Sequence, residues 1–148
     1  MSNRTKNFLI VAAIGIGLFL LVRRTVAKIS VGSAGVRIHK VSLSEVVLRI
    51  DLPIINESQI PATVSGFLGQ IFYGLNPIGV VQLLHPKDIP GFGQTIVQFQ
   101  ATISAVSAAQ QIYEIVTNPP IDWNKFSIRG TLLVKGLPVD IDQKLLAA

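Results

Sequence analysis

Asp140 and Asp142 are the carboxylates best spaced to act together. Separated by Ile141, they would share one face of a strand, where two carboxylates can hold a divalent cation or divide acid and base roles. Lys135 and Lys144 lie close by in sequence, and such a hairpin face is ordinarily solvated, so the plainer reading is a charged outer surface. The chain has two histidines. His39 sits opposite the apolar positions of its strand and His85 stands before a proline turn, and neither has an acid or a second histidine at ligand spacing. There is no cysteine, which excludes a disulfide framework, a thiol nucleophile and thiolate-bound metals. Serine elbows, phosphate loops and zincin helices are absent, and Gly91-x-Gly93 lacks the strand–helix setting of a dinucleotide loop. The expectation is a chain with no catalytic, metal or cofactor site.

Asn56-Glu57-Ser58 has the form of a glycosylation sequon, a frequent chance match. Trp123, the single tryptophan, could anchor a partner or a headgroup region, but more often such a residue packs over the end of a core. Phe67, Phe72, Tyr73, Phe92, Phe99 and Tyr113 are core or core-end candidates before they are stacking platforms.

The formal charge of +5 is confined to one end. Arg4, Lys6, Arg23, Arg24 and Lys28 are unopposed by any acid, whereas residues 29–148 carry eight basic and eight acidic residues. The globular part therefore has no net basic face for nucleic acid. Between the basic clusters runs Phe8, Leu9, Ile10, Val11, Ala12, Ala13, Ile14, Gly15, Ile16, Gly17, Leu18, Phe19, Leu20, Leu21 and Val22, without a polar side chain. As a helix this is roughly 22 Å long; extended through Thr25-Val26-Ala27, with Arg23 and Arg24 snorkelling, it reaches the ~20 residues a bilayer requires. A cleaved signal peptide would place a small neutral site where Arg23-Arg24 stands. A buried core helix would not be apolar all round with cations at both ends. An uncleaved anchor is expected, with Arg4, Lys6, Arg23, Arg24 and Lys28 at the interface. Cations at both ends leave its orientation open. Ala13 and Gly17 form a small-xxx-small pair, common in membrane helices.

Residues 29–148 are expected to form one domain dominated by two-residue alternation. Val46, Leu48, Ile50, Leu52 and Ile54 alternate with Arg49 and Asp51, which predicts a half-buried antiparallel strand with Pro53 at an edge or strand end. Val36–Val41 is a weaker strand, and Ala62–Gly74 a long one in which Gly66 and Gly69 permit a bulge or a sharp bend. Asn76-Pro77 and residues 85–93 read as turns around a short strand at Val80–Leu84. Thr95–Ile103 alternates again. The period then lengthens: Ser104 can cap a helix carrying Val106, Ala109, Ile112 or Tyr113, and Val116, ended by Asn118-Pro119-Pro120. Phe126, Ile128, Gly130, Leu132 and Val134 return to period two, and Gly136 turns the chain into a last strand with Val139 and Ile141.

This order resembles the late-embryogenesis-abundant type 2 family, with its water-stress and hypersensitive-response domain. The matching features are Val41-Ser42-Leu43-Ser44, Leu48-x-Ile50-x-Leu52 leading to Asn56-x-Ser58 and Pro61, Pro90-Gly91 before the strand 95–103, Phe126-x-Ile128-x-Gly130, and Leu137-Pro138-Val139. They cover roughly residues 34–145. The family's Asn-Pro-Asn turn is replaced here by Asn56-Glu57-Ser58. The resemblance implies an antiparallel immunoglobulin- or fibronectin-like β-sandwich with one α-helix, and a non-enzymatic role beside a membrane anchor.

Together these readings lead to the expectation of a single-pass, non-enzymatic structural or interaction protein. Its partners would be the lipid bilayer and neighbouring proteins of a membrane-associated assembly, such as a virion in which it links an internal membrane to the shell; nucleic acid is not among them. The competing expectation is a cellular, for example bacterial, envelope protein that binds lipid or an apolar ligand between its sheets, or protects membranes under stress.

Overall fold

The computed structural model describes residues 28–147. The expected anchor Phe8–Val22, its flanking Arg4, Lys6, Arg23 and Arg24, and the Val106 side chain lie outside what is described, which leaves Lys28 of the expected interface residues. Among the described residues no helix is long and apolar enough to cross a membrane.

Nine strands and one helix follow in the order β1 (Ile29–Val31), β2 (Ala34–Val41), β3 (Val46–Asn56), β4 (Ala62–Tyr73), β5 (Asn76–Leu83), β6 (Lys87–Ile89), β7 (Gln94–Ile103), α1 (Val106–Thr117), β8 (Phe126–Val134) and β9 (Leu137–Ala147). The three clearest alternations in the sequence become β3, β7 and β8. Their inward residues Leu48, Ile50, Leu52 and Ile54, then Val97, Phe99, Ala101 and Ile103, then Phe126, Ile128, Leu132 and Val134 are all fully buried. Period two is legible here because one face of each strand meets the core and the other meets water.

Hydrogen bonding runs β3–β2–β9–β8–β4–β5–β7 and returns to β3. The expected two-layer sandwich is thus a flattened barrel whose layers are continuous. Every pairing is antiparallel except β2 with β9, where Ala34, Gly35 and Val36 lie beside Leu145, Leu146 and Ala147. The short β1 and β6 add to the ends of β3 and β4.

Pro53 lies in the middle of the central strand, not at an edge. Its neighbours resolve the apparent conflict. On one side Pro53 pairs with Ile96 of β7. On the other, its carbonyl accepts from the Gly32 N–H at 2.8 Å, at the break between β1 and β2. A strand residue points its N and its C=O to the same side, so the N–H that proline lacks would have faced a gap in the neighbouring strand.

Two turns differ from expectation. Gly74 (φ +61°) and Leu75 make the β4–β5 turn, while Asn76 and Pro77 already pair with Tyr73 and Phe72 in β5. Residues 85–93 are not wholly loop, because Lys87–Ile89 adds to β4. The closing hairpin turns through Lys135 (φ +52°) and Gly136 (φ +77°), the pair of left-handed residues that suits strand twist. Helix α1 starts one residue later than Ser104 would place it: Ala105 is its N-cap and provides no side-chain bond. Ala109 and Ile112 are fully buried and Val116 nearly so, so packing supports this helix in place of a cap. At its other end the Thr117 hydroxyl and the Asn118 amide donate to the carbonyls of Tyr113 and Glu114, each at 2.6 Å.

The middle of the barrel is filled by Phe67. Its ring meets Phe99 of the opposite wall edge-on, with centroids 5.0 Å apart and planes at 68°. The ring lies over a pair of glycines, Gly69 and Gly130, which face each other across β4 and β8. A Cβ on Gly130 would collide with the Leu68 carbonyl oxygen and come within 2.8 Å of the Phe67 Cζ. The glycines therefore act as the socket for an aromatic side chain two positions away. Gly69 is not the bulge site; the register shifts between Val64 and Gly66.

Because a methyl at Gly130 meets backbone as well as ring, Gly130→Ala is expected to lower unfolding stability by about 2 kcal/mol. Urea denaturation of the two proteins measures it, and a shift below about 0.5 kcal/mol would show that the socket has slack.

Candidate functional site: an outer sheet face and a stitched loop end

The outward residues of β5, β4, β8 and β9 form a continuous face. In one row the register sets Val80 beside Gln70, Gln70 beside Arg129, and Arg129 beside Asp142; in the next, Leu68 lies beside Thr131 and Thr131 beside Asp140. Arg129 is held from two directions. Its Nε donates to Asp142 Oδ1 at 3.3 Å, and its guanidinium carbon stands 4.9 Å from the Phe72 ring centroid. Leu68, Gln70, Phe72 and Arg129 wall an open depression of about 430 Å³ floored by Gly69 and Gly130. Their absent side chains would point inward at Phe67, so the outer side of the same two positions is plain strand backbone. Leu68 is 74% exposed and Val80 53%. An arginine pre-positioned over an aromatic ring, beside exposed aliphatic side chains, has the chemistry of a protein-recognition surface.

Here the carboxylate pair finds its place. Asp142 is the counter-ion of Arg129, and Asp140 accepts from the Thr131 hydroxyl at 3.5 Å. Both are exposed, each engaged with β8 and not with the other. Among the described residues no group of three His, Cys, Asp or Glu side chains is placed to hold a metal ion. His39 is exposed and lies 3.4 Å from Arg49 Nη2, and His85 is exposed in its turn. Trp123 packs on Phe126 with centroids 5.2 Å apart, over the end of the core. Tyr73 meets the same Phe126 edge-on at 5.1 Å. Phe72 departs from the expectation of a core or core-end position, lying on the outer face beneath Arg129, and Phe92, in the loops at one end of the barrel, is 75% exposed.

At one end of the barrel Asn56 does a different job from the one its sequon suggests. It is 1% exposed, and its Nδ2 donates to the carbonyls of Ile60 at 2.8 Å and Pro90 at 3.3 Å. Its Oδ1 accepts from the Ser58 N–H at 3.0 Å, and the Ser58 hydroxyl accepts from the Ile60 N–H at 3.1 Å. Backbone bonds from Asn56 to Gly93, from Phe92 to Ser58 and from Glu57 to Lys28 finish the knot. A glycan on Nδ2 would replace one of the two N–H groups that bridge the loops and would have no room at a side chain 1% exposed, so a glycan at Asn56 is incompatible with this fold.

No protein-family model matches the chain, and no curated protein matches it. Solved structures do. A protein from Archaeoglobus fulgidus superposes with a TM-score of 0.53 at 14% identity, covering 76% of this chain and 90% of that one. The solution structure of a candidate late embryogenesis abundant (LEA) protein gives 0.53 at 15% identity, covering 96% of this chain and 82% of that one. At such identities the likeness is one of fold. It supports, remotely, the LEA-like architecture expected from the strand order.

Asn56→Ala should cost about 2 kcal/mol, because it strands the buried Ser58 N–H and removes a donor from two partly buried carbonyls. Asp140→Asn with Asp142→Asn should shift stability by less than about 1 kcal/mol, as surface pairs do. Urea melts of both variants test the contrast; equal losses would mean that the knot is no more important than the surface charges.

Proposed function

We propose that this chain is a single-pass membrane-anchored, non-enzymatic interaction protein. Its LEA-like β-barrel presents the outer face of β4, β5 and β8 to a protein neighbour within a membrane-associated assembly, such as a virion in which it joins bilayer to shell. The observation that carries the reading is the face itself: Leu68 and Val80 exposed beside an arginine that Phe72 and Asp142 already hold in position. A side chain already biased toward one position by a ring and a carboxylate loses less entropy on docking. The basic-flanked apolar run Phe8–Val22 supports the anchor.

The second reading, an envelope LEA-like protein that binds lipid or apolar ligands or protects membranes, is favoured by the fold shared with the candidate LEA protein. Its apolar pocket would have to form away from the barrel centre, where Phe67 and Phe99 meet. Edge pairing, a third way to engage a partner, is narrowed by ring closure: among the described residues β1, β6, β2 after Val36 and β9 before Leu145 each pair on one side alone.

The test is a photo-crosslinking residue at position 68 in the full-length protein, in its native membranes. One protein adduct in fixed ratio is expected. Lipid adducts alone would defeat the assembly reading and favour the envelope one. Leu68→Asp with Val80→Asp is expected to leave the urea midpoint within about 0.5 kcal/mol of the parent. The same double change should abolish the adduct formed from position 70.

A further inference from the structure

Phe92 is an anomaly that the interaction face does not absorb. It is a large aromatic residue with a left-handed backbone (φ +51°), a conformation that costs energy for any residue but glycine, and its side chain is 75% exposed. The backbone around it is nevertheless firmly held. The Phe92 N–H donates to the Ser58 carbonyl at 2.7 Å, and the Gly93 carbonyl accepts from Asn56 at 2.8 Å. Gly91 is pressed against the Gln59 carbonyl so closely that a Cβ would not fit. The loop is rigid and its aromatic ring points away from the core.

Its position is informative. The loop that carries Phe92 is stitched to residues 56–60, and that stretch is stitched to Lys28, where the Glu57 N–H donates to the Lys28 carbonyl at 3.1 Å. Lys28 directly follows the segment read above as the anchor, with Arg23 and Arg24 just before it. Lys87 of β6 is exposed at this end, and so is Lys135, whose N–H donates to the Thr63 carbonyl at 3.1 Å. The acids here are Glu57 and Asp88, and Asp88 already accepts from the Thr63 hydroxyl at 2.8 Å.

We propose that this end of the barrel rests on the bilayer, with the Phe92 ring inserted at the headgroup–acyl boundary and Lys28, Lys87 and Lys135 against lipid phosphates. The occupant is a phospholipid surface. An aromatic ring flanked by ammonium groups suits that boundary, and the short path from the anchor to Lys28 delivers it there. This inference rests on the membrane-anchor reading. It adds an orientation: the barrel would stand upright, with the β4–β5 turn at the far end. Leu75 in that turn is even more exposed, at 84%, and the twelve residues of β4 set it roughly 35 Å away. Exposure alone therefore does not select Phe92.

The chain has no cysteine, so single cysteines can be labelled cleanly. Full-length Phe92→Cys, Lys87→Cys and Leu75→Cys, each carrying an environment-sensitive fluorophore, would be reconstituted in vesicles of phosphatidylcholine with one-quarter phosphatidylglycerol. Flotation is measured on the same samples. The expected result is a several-fold fluorescence gain at 92, quenched by acyl-chain spin labels, a smaller response at 87 and none at 75. Protein that floats while label 92 stays as open to aqueous iodide as label 75 overturns the inference and leaves the anchor standing. Shielding at 92 without lipid quenching, found only in native assemblies, overturns it in favour of a protein contact. Protein that fails to float overturns both. Lys87→Cys, at an ordinary backbone position, guards against a Phe92 variant that misfolds.

Discussion

One buried carboxamide organises an entire end of this barrel. Asn56 closes the long strand β3 and at once bridges the β3–β4 loop and the loop leading into β7. Its side chain is 1% exposed, and its bond with the Ser58 N–H is made out of reach of water, while those to the Ile60 and Pro90 carbonyls are partly buried. Around it the main chain adds bonds that reach back to Lys28. Everything distinctive about this end, including the fixed backbone beneath Phe92, follows from that one residue.

A second constraint governs the middle. The aromatic ring of Phe67 needs a floor without side chains, and Gly69 with Gly130 supplies it. The floor has two sides. Inside it admits the ring that contacts Phe99; outside it leaves the shallow depression between Leu68, Phe72 and Arg129.

Much of the architecture was legible from residue order. β3, β7 and β8 were readable because a two-residue period survives wherever one side is core and the other water. Ala109, Ile112 and Val116 betrayed the helix by their spacing. What escaped was non-local. The continuity of the two layers rests on β3 meeting β7, and Pro53 is tolerable only because of a break in a different strand. The Phe67 socket depends on the register of β4 against β8, which no single segment records. Asn56 carried a misleading label, since its sequon pattern hides a structural amide. Phe92 read as a core or core-end residue, and it stands exposed at the barrel's end; its proline- and glycine-bounded turn was the available clue. The paired aspartates are exposed, and their partners are Arg129 and Thr131 of β8.

The parallel seam between β2 and β9 bears on how the protein is made. Ala34 meets Leu145 across nearly the whole domain, and no other strand can take that place in the ring. A ribosome releases β2 early and β9 late, so for most of synthesis one flank of β2 has nothing to bond. Contacts of such long separation form late and slowly. Antiparallel pairing of β2 with β3, which lies close in sequence, can precede it. Barrel closure therefore waits for β9, and until β9 is available the chain carries an unsatisfied strand edge on β2.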